Sequence, residues 1–233
     1  MPTDDLLTYL FDGQPHLLLQ PMAMWLASSR RFAAFVTIFQ DKIRKKLRTT
    51  QDQENLFDLQ LELETAYLLL QERSLSLVYE PELSKRIRSP DYAVTFTTSL
   101  TFMLEVTRVQ MDPKNTMDAR LADTISSKLG QLLPQRTNIL LVGVEAADPT
   151  ANDVRTAMLS IQQRAERNDS TFLQRYGFRD RADFFRHYQC LSEILVRGPH
   201  FEVTKSIVTW INPQAKHPLP SKVRTALYRS HTS

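Results

Sequence analysis

The segment from Asp91 to Val109 decides the fold, and its sequence is DYAVTFTTSLTFMLEVTRV. Apolar and polar residues alternate through 91–97 and again through 101–109, and a short polar turn at Thr98-Ser99 separates the two runs. Such alternation is typical of strands with one face in a core, and the short turn is typical of a hairpin. We therefore expect a β-hairpin at this place in the chain.

One alignment of the two hairpin strands pairs every apolar side chain. It places Asp91 directly opposite Glu105. The apolar pairs are then Ala93 with Met103, Tyr92 with Leu104 and Val94 with Phe102. A shift of one residue would turn the whole apolar set to the other face, so the pattern predicts this register.

Helical spacing and apolar runs flank the hairpin on both sides. The first helix follows a cap at Thr3/Asp4, and we expect Gly13, Pro15 and Pro21 to interrupt it. Further predicted helices cover 32–48, 51–73, 115–133, 153–167, 172–191 with a break near 176–177, and a closing segment that ends at Tyr228. The remaining predicted strands cover 75–79, 139–144, 192–196 and 207–211. This order predicts an α/β fold in which a mixed sheet lies between helices.

The composition excludes several classes of protein. The chain has 233 residues, 42% hydrophobic and 24% charged, with five glycines and one cysteine. Without a glycine-rich phosphate loop, a dinucleotide fingerprint or a nucleophile elbow, we expect no nucleotide or dinucleotide cofactor. Cys190 alone forms no internal disulfide, the first residues are acidic, and no apolar run approaches the ~20 residues of a membrane helix. We expect a soluble cytoplasmic protein with no membrane partner.

Basic residues concentrate near the start of a chain whose net charge is +3. Seven Lys or Arg and one Asp lie between Arg30 and Arg48. One interpretation is a solvated helix end, where cations offset the helix dipole. Contact with a membrane surface or a partner groove is a more remote one. Another is sequence-independent contact with the phosphates of a nucleic acid. On that interpretation the contact residues are Lys42, Lys45, Lys46 and Arg48.

The hairpin register also brings two acids together. Directly opposed residues in an antiparallel pair have Cβ atoms ~5 Å apart, so the carboxylates of Asp91 and Glu105 would repel each other unless a cation lay between them. A hard divalent ion such as Mg²⁺ prefers oxygen ligands of this kind and can activate a water molecule. The alternative is a pair of solvated acids at strand ends.

These residues resemble the motif of a known enzyme family. The motif of the PD-(D/E)XK nucleases is similar to two short runs of this chain. These are Ser89-Pro90-Asp91 at the start of the hairpin and Glu105-Val106-Thr107 towards its end. The resemblance covers about 51–144. It implies a restriction-endonuclease-like mixed sheet with helical additions at both ends, Mg²⁺ or Mn²⁺ as cofactor, and hydrolysis of DNA phosphodiester bonds. Residues 1–50 would be an N-terminal helical extension, and 51–233 a nuclease-like domain with a C-terminal elaboration.

The resemblance also implies a set of site residues. Asp91, Glu105 and the carbonyl of Val106 would bind the metal ion. A glutamate of the preceding helix would complete the metal site. By position that glutamate is Glu62, with Glu64 as the second choice.

One position departs from the family motif. The family has a catalytic lysine where this chain has Thr107, whose hydroxyl can hold a water molecule but carries no charge. Lys128 on the following helix, Lys114 or Arg108 could supply the cation, and Arg108 is the weakest choice because it alternates to the opposite face of the strand. If none does, the protein is an inactive nuclease-fold module that binds nucleic acid or another protein.

Overall fold

The computed structural model describes residues 2–50, 52–82, 89–98, 100–109, 114–145, 148–198 and 207–231. The helices in these ranges are α1 Thr3–Phe11, α2 Leu19–Ser28, α3 Arg30–Thr49, α4 Gln53–Leu69, α5 Met117–Leu129, α6 Ala151–Glu166, α7 Ser170–Arg175, α8 Arg181–Tyr188 and α9 Ser221–Ser230. The strands are β1 Leu75–Tyr79, β2 Tyr92–Phe96, β3 Leu100–Arg108, β4 Asn138–Gly143, β5 Leu191–Arg197 and β6 Val208–Ile211. In this part of the chain, no helix combines the length and apolar character needed to cross a membrane.

The strands form one six-stranded mixed sheet in the order β1-β2-β3-β4-β5-β6. The first three are antiparallel, β3, β4 and β5 are parallel, and β6 is antiparallel to β5. Each parallel step requires a crossover connection, and α5 and α6–α8 supply the two that are needed. The predicted α/β class with a mixed sheet between helices is therefore confirmed.

The predicted hairpin register is also confirmed. Tyr92 lies opposite Leu104, Ala93 opposite Met103 and Val94 opposite Phe102. Thr98 occupies the turn between the strands, and Ser99, the other half of the predicted turn, lies outside the described residues. Extending the same register by one residue brings Asp91 level with Glu105.

Alternating side chains divide the core into two layers. Tyr92, Val94 and Leu141 face a layer formed with α1–α4 and α9. Leu140 and Val142 face the opposite layer, formed with α5–α8. Since β4 is buried along its whole length, its unbroken apolar sequence reflects cover on both faces.

The helix α2 corrects one expectation from the sequence. Pro21 was expected to interrupt helical structure, but it lies at the third position of α2. A proline is tolerated in the first turn of a helix because the backbone N–H groups there have no partner within the helix. The helices α1, α2 and α3 then pack as a unit against the sheet and α4.

Close packing at one glycine holds α4 against the sheet. A Cβ atom at Gly143, the last residue of β4, would lie 2.5 Å from Cδ2 of Leu61 on α4. The absence of a side chain at 143 therefore lets α4, which carries Glu62, approach the sheet closely.

We expect Gly143→Ala to lower the free energy of unfolding by about 1 kcal/mol, because the added methyl forces the partly exposed Leu61 side chain to move aside. Urea unfolding measures this change. Gly130→Ala is the matched control, since its added Cβ would meet no atom within 4 Å, and we expect it to cause no loss. A smaller loss for Gly143→Ala in a Leu61→Ala background would confirm the cause, whereas an equal loss in both backgrounds would contradict it.

Candidate functional site

Asp91 is fixed at the start of the hairpin by two backbone contacts. Its Oδ2 accepts a hydrogen bond of 2.7 Å from the backbone N–H of Val106. Its backbone carbonyl accepts a hydrogen bond of 2.8 Å from the N–H of Glu80. The carboxylate is therefore held beside the strand that carries Glu105. Val106 contributes its N–H to this arrangement, whereas the resemblance implied a role for its carbonyl.

A lysine from the following helix contacts Glu105. The Nζ of Lys128, in the last turn of α5, lies 2.9 Å from Oε1 of Glu105. The side chain of Glu105 is 7% exposed and that of Lys128 is 16% exposed, so the pair is largely shielded from water. Thr107 lies two residues after Glu105 on the same face of β3, and its hydroxyl carries no charge. The cation beside Glu105 therefore comes from a different element, α5.

The other two cations considered for this role lie elsewhere. Arg108 pairs with Glu54, Asp58 and Glu145 on the α4 side of the sheet. Lys114 is exposed in the turn before α5. Among the sequence candidates, the structure brings Lys128 to Glu105.

Glu62 is buried and pairs with a lysine from the N-terminal helices. Its Oε1 lies 2.7 Å from Nζ of Lys46 on α3, and the same Nζ lies 2.8 Å from Oε1 of Glu80. The hydroxyl of Tyr92 donates a hydrogen bond of 2.8 Å to the backbone carbonyl of Glu62. The residue is thereby tied both to the hairpin and to α3.

Glu64 points to a different part of the molecule. Its Oε1 lies 2.6 Å from Nη2 of Arg197, the last residue of β5. Burial raises the pKa of Glu64 to about 7, against the opposing effect of Arg197. Of the two glutamates that the sequence offered, Glu62 is the one whose charge acts on Asp91.

The electrostatics of Asp91 show that three acids share one region. Burial raises the pKa of Asp91 well above its usual range, and the negative charges of Glu62 and Glu105 raise it further. The Val106 N–H and the charge of Lys46 act in the opposite direction. Burial likewise raises the pKa of Glu62, against Lys46. Two lysines thus face these three carboxylates and that of Glu80, which leaves an excess of negative charge when all four are ionised.

This donor set suits a hard divalent ion by its chemistry. Carboxylate oxygens are the ligands that Mg²⁺ and Mn²⁺ prefer, and the excess negative charge around Asp91 favours a cation. Within the described ranges, however, no three His, Cys, Asp or Glu side chains are grouped so that they could hold a metal ion. Glu62 and Glu105 each face a lysine instead. Metal binding would therefore require at least one of these carboxylates to exchange its lysine for the ion.

The basic residues of α3 contact other parts of the protein. Lys42 donates to the backbone carbonyl of Glu80 at 3.0 Å, and Arg48 pairs with Asp12 at 2.6 Å. Lys46 pairs with Glu62, while Lys45 is exposed. Three of the four predicted phosphate-binding side chains are therefore engaged within the molecule. Since their partners lie far away in the sequence, the local charge pattern could not reveal these contacts.

Glu80 is a residue of this region that the sequence did not single out as functional. It lies in the left-handed region of backbone conformation, with φ 42°, which is unfavourable for a residue with a side chain. Its N–H contacts Asp91 and its carboxylate contacts Lys46. The sequence signal was limited to its position before Pro81, which indicated only the end of a strand.

Comparisons with protein-family models, with curated proteins and with solved structures found no match to this chain.

We expect Lys46→Met to lower the free energy of unfolding by about 1–3 kcal/mol, because it leaves the buried carboxylate of Glu62 without its counter-charge. Urea unfolding at neutral pH measures the change. Lys45→Met is the matched control on the same helix, and we expect a change within about 0.5 kcal/mol because Lys45 is exposed. Adding Glu62→Gln to Lys46→Met should restore part of the loss. Equal stability of the two lysine variants would contradict this account.

Proposed function

We propose that this protein is a metal-dependent nuclease that hydrolyses phosphodiester bonds of DNA. The observation that carries the proposal is the contact of Lys128 with Glu105 beside Asp91. A hairpin with an aspartate at its start, a glutamate level with it on the second strand and a nearby lysine provides the residue types of the PD-(D/E)XK motif. Lys128 takes the place of the lysine that is missing at Thr107.

The order of elements supports the same proposal. From α4 to β4 the chain runs helix, strand, hairpin, helix, strand, which is the order that the resembled family shows. The sheet is also mixed, as the resemblance implies, since β1, β2 and β3 are antiparallel and β4 is parallel to β3. A restriction-endonuclease-like fold is therefore the specific α/β fold that we propose.

Each residue of the proposed site has its own role in the reaction. Asp91 and Glu105, with Glu62 as a third carboxylate and the carbonyl of Val106 as a further oxygen donor, would hold Mg²⁺ or Mn²⁺. The bound ion would lower the pKa of a water molecule and offset charge on the phosphate. Lys128 supplies positive charge next to Glu105 and stabilises the charge that develops on the phosphoryl oxygens. The hydroxyl of Thr107, on the same face of β3, orients a water molecule by hydrogen bonding.

A second candidate function has its own supporting observation. Lys46 and Lys128 already neutralise Glu62 and Glu105, as expected of a nuclease fold whose ion pairs have replaced the metal. Such a protein would bind nucleic acid or another protein without cleaving DNA. Metal binding and cleavage separate the two functions.

For the nuclease, we expect Mn²⁺-dependent cleavage of DNA that Asp91→Asn abolishes. Lys128→Met should reduce the cleavage rate by about 100-fold, because mutations that remove one stabilising charge cost roughly this much. Thr107→Lys introduced into the Lys128→Met variant should recover part of the rate, since it returns a lysine to the motif position. A gel assay with supercoiled plasmid measures the rates.

Lys45→Met is the control for these cleavage rates, because it removes an exposed lysine from another element. The nuclease is ruled out if the wild-type protein leaves DNA intact at all Mn²⁺ concentrations tested. If Lys128→Met cleaves as fast as wild type, Lys128 has no part in the chemistry.

We also expect the protein to bind Mn²⁺ without DNA, with at least about tenfold weaker binding in Asp91→Asn, since the central carboxylate is lost. Electron paramagnetic resonance of free Mn²⁺ measures the affinity. Glu166→Gln removes an exposed carboxylate from α6 and is the control. Binding that is absent from wild type, or equal in wild type and Asp91→Asn, would favour the inactive module.

A further inference from the structure

A polar cleft lies next to the candidate site, on the side of the sheet that carries α5. Its volume is about 460 Å³, and its lining includes Thr107 of β3. Glu105 lies two residues before Thr107 on the same face of the strand, and it contacts Lys128 of α5. The cleft therefore adjoins the proposed catalytic residues Glu105 and Lys128.

The α5 wall of the cleft has a regular composition. Arg120, Thr124 and Ser127 line it, and residues three and four apart lie on one face of a helix. The next residue after Ser127 is Lys128. Asp123 lies on the same wall. Apart from this acid, cationic and hydroxyl-bearing side chains extend along the helix towards Glu105, as would suit a chain of phosphates.

The opposite wall supplies a second arginine. Arg175, at the end of α7, lies 3.1 Å from Asp123 of α5, and the two side chains are 59% and 42% exposed. An ion pair this exposed contributes little free energy, so a phosphate can recruit the guanidinium at small cost. Asp123 keeps a second partner, because the hydroxyl of Tyr176 donates to it at 2.5 Å.

The other acid in the cleft is also neutralised. Asp58 lies 2.9 Å from Nε of Arg108. Both carboxylates that line this cleft are therefore paired with arginines. The lining also includes Arg120 and the hydroxyl-bearing residues Thr107 and Thr124, which are donor types that suit phosphate oxygens. The basic residues predicted on α3 lie in the helical layer on the other face of the sheet, away from this cleft. Two of them, Lys42 and Lys46, contact the Glu80 carbonyl and the buried Glu62 there.

We infer that this cleft, and not α3, binds the phosphodiester backbone of DNA next to the cleavage site. The inference rests on the proposed function for its substrate class. Arg120 and Arg175 contact successive phosphates, and Thr107 and Thr124 add neutral hydrogen bonds. Binding is independent of base sequence and weakens as salt rises.

The test measures equilibrium binding of a short DNA duplex without divalent metal, at several salt concentrations. We expect Arg120→Ala and Arg175→Ala each to weaken binding about five- to tenfold and to reduce the slope of log K against log salt by about 1. Arg175→Lys should retain the wild-type slope because it keeps the charge. On α3, Lys45→Ala and Arg48→Ala are the matched controls and should bind like wild type.

Thermal unfolding checks that each variant is folded. If Arg120→Ala unfolds, Arg175→Ala decides alone, since its side chain is exposed. Loss of binding in the α3 variants with wild-type binding in the cleft variants would overturn the inference, as would no DNA binding at all. If the protein cleaves DNA but the cleft variants bind DNA like wild type, the cleft proposal is wrong and the nuclease proposal is unaffected. Cleft-dependent binding without cleavage supports the cleft and refutes the nuclease.

Discussion

The pairing of β2 with β3 in a single register is the constraint on which the rest of the structure depends. It aligns Asp91 with Glu105 and lets the Val106 N–H hold the Asp91 carboxylate. It also turns Tyr92 towards α4, where its hydroxyl binds the Glu62 carbonyl. Since strand side chains alternate with a period of two, a slip of one residue would undo all three contacts together.

Burial of carboxylates dominates the energetics of this region. A charged group taken out of water is costly unless it finds a counter-charge, and the chain meets this cost with lysines from two separate helices. Lys46 comes from α3 and Lys128 from α5, so the helical layers on both faces of the sheet contribute to one cluster. This arrangement makes the N-terminal helices part of the electrostatics of the site, in addition to their packing on the sheet.

The proposed function and the proposed cleft follow from how those cations are used. Lys46 pairs with the buried Glu62 and is not available to phosphates, and Lys42 donates to the backbone carbonyls of Tyr79 and Glu80. Arg120 of α5 and Arg175 of α7 border an open polar cleft, and the ion pair of Arg175 with Asp123 is exposed. The proposed DNA-binding surface therefore rests on how these residues are placed and paired, and not on the number of basic residues in a segment.

Local patterning determined a large part of this protein. The alternation within 91–109 is enough to define the hairpin register, because only one alignment pairs its apolar residues. The apolar run of β4 is enough to indicate a strand that is covered on both faces. The motif residues Asp91 and Glu105 follow from the same alternation. Only the tertiary structure decided which glutamate of α4 acts on Asp91 and which lysine reaches Glu105. Those choices depend on how helices pack across the sheet, and long charged side chains select partners that are distant in sequence.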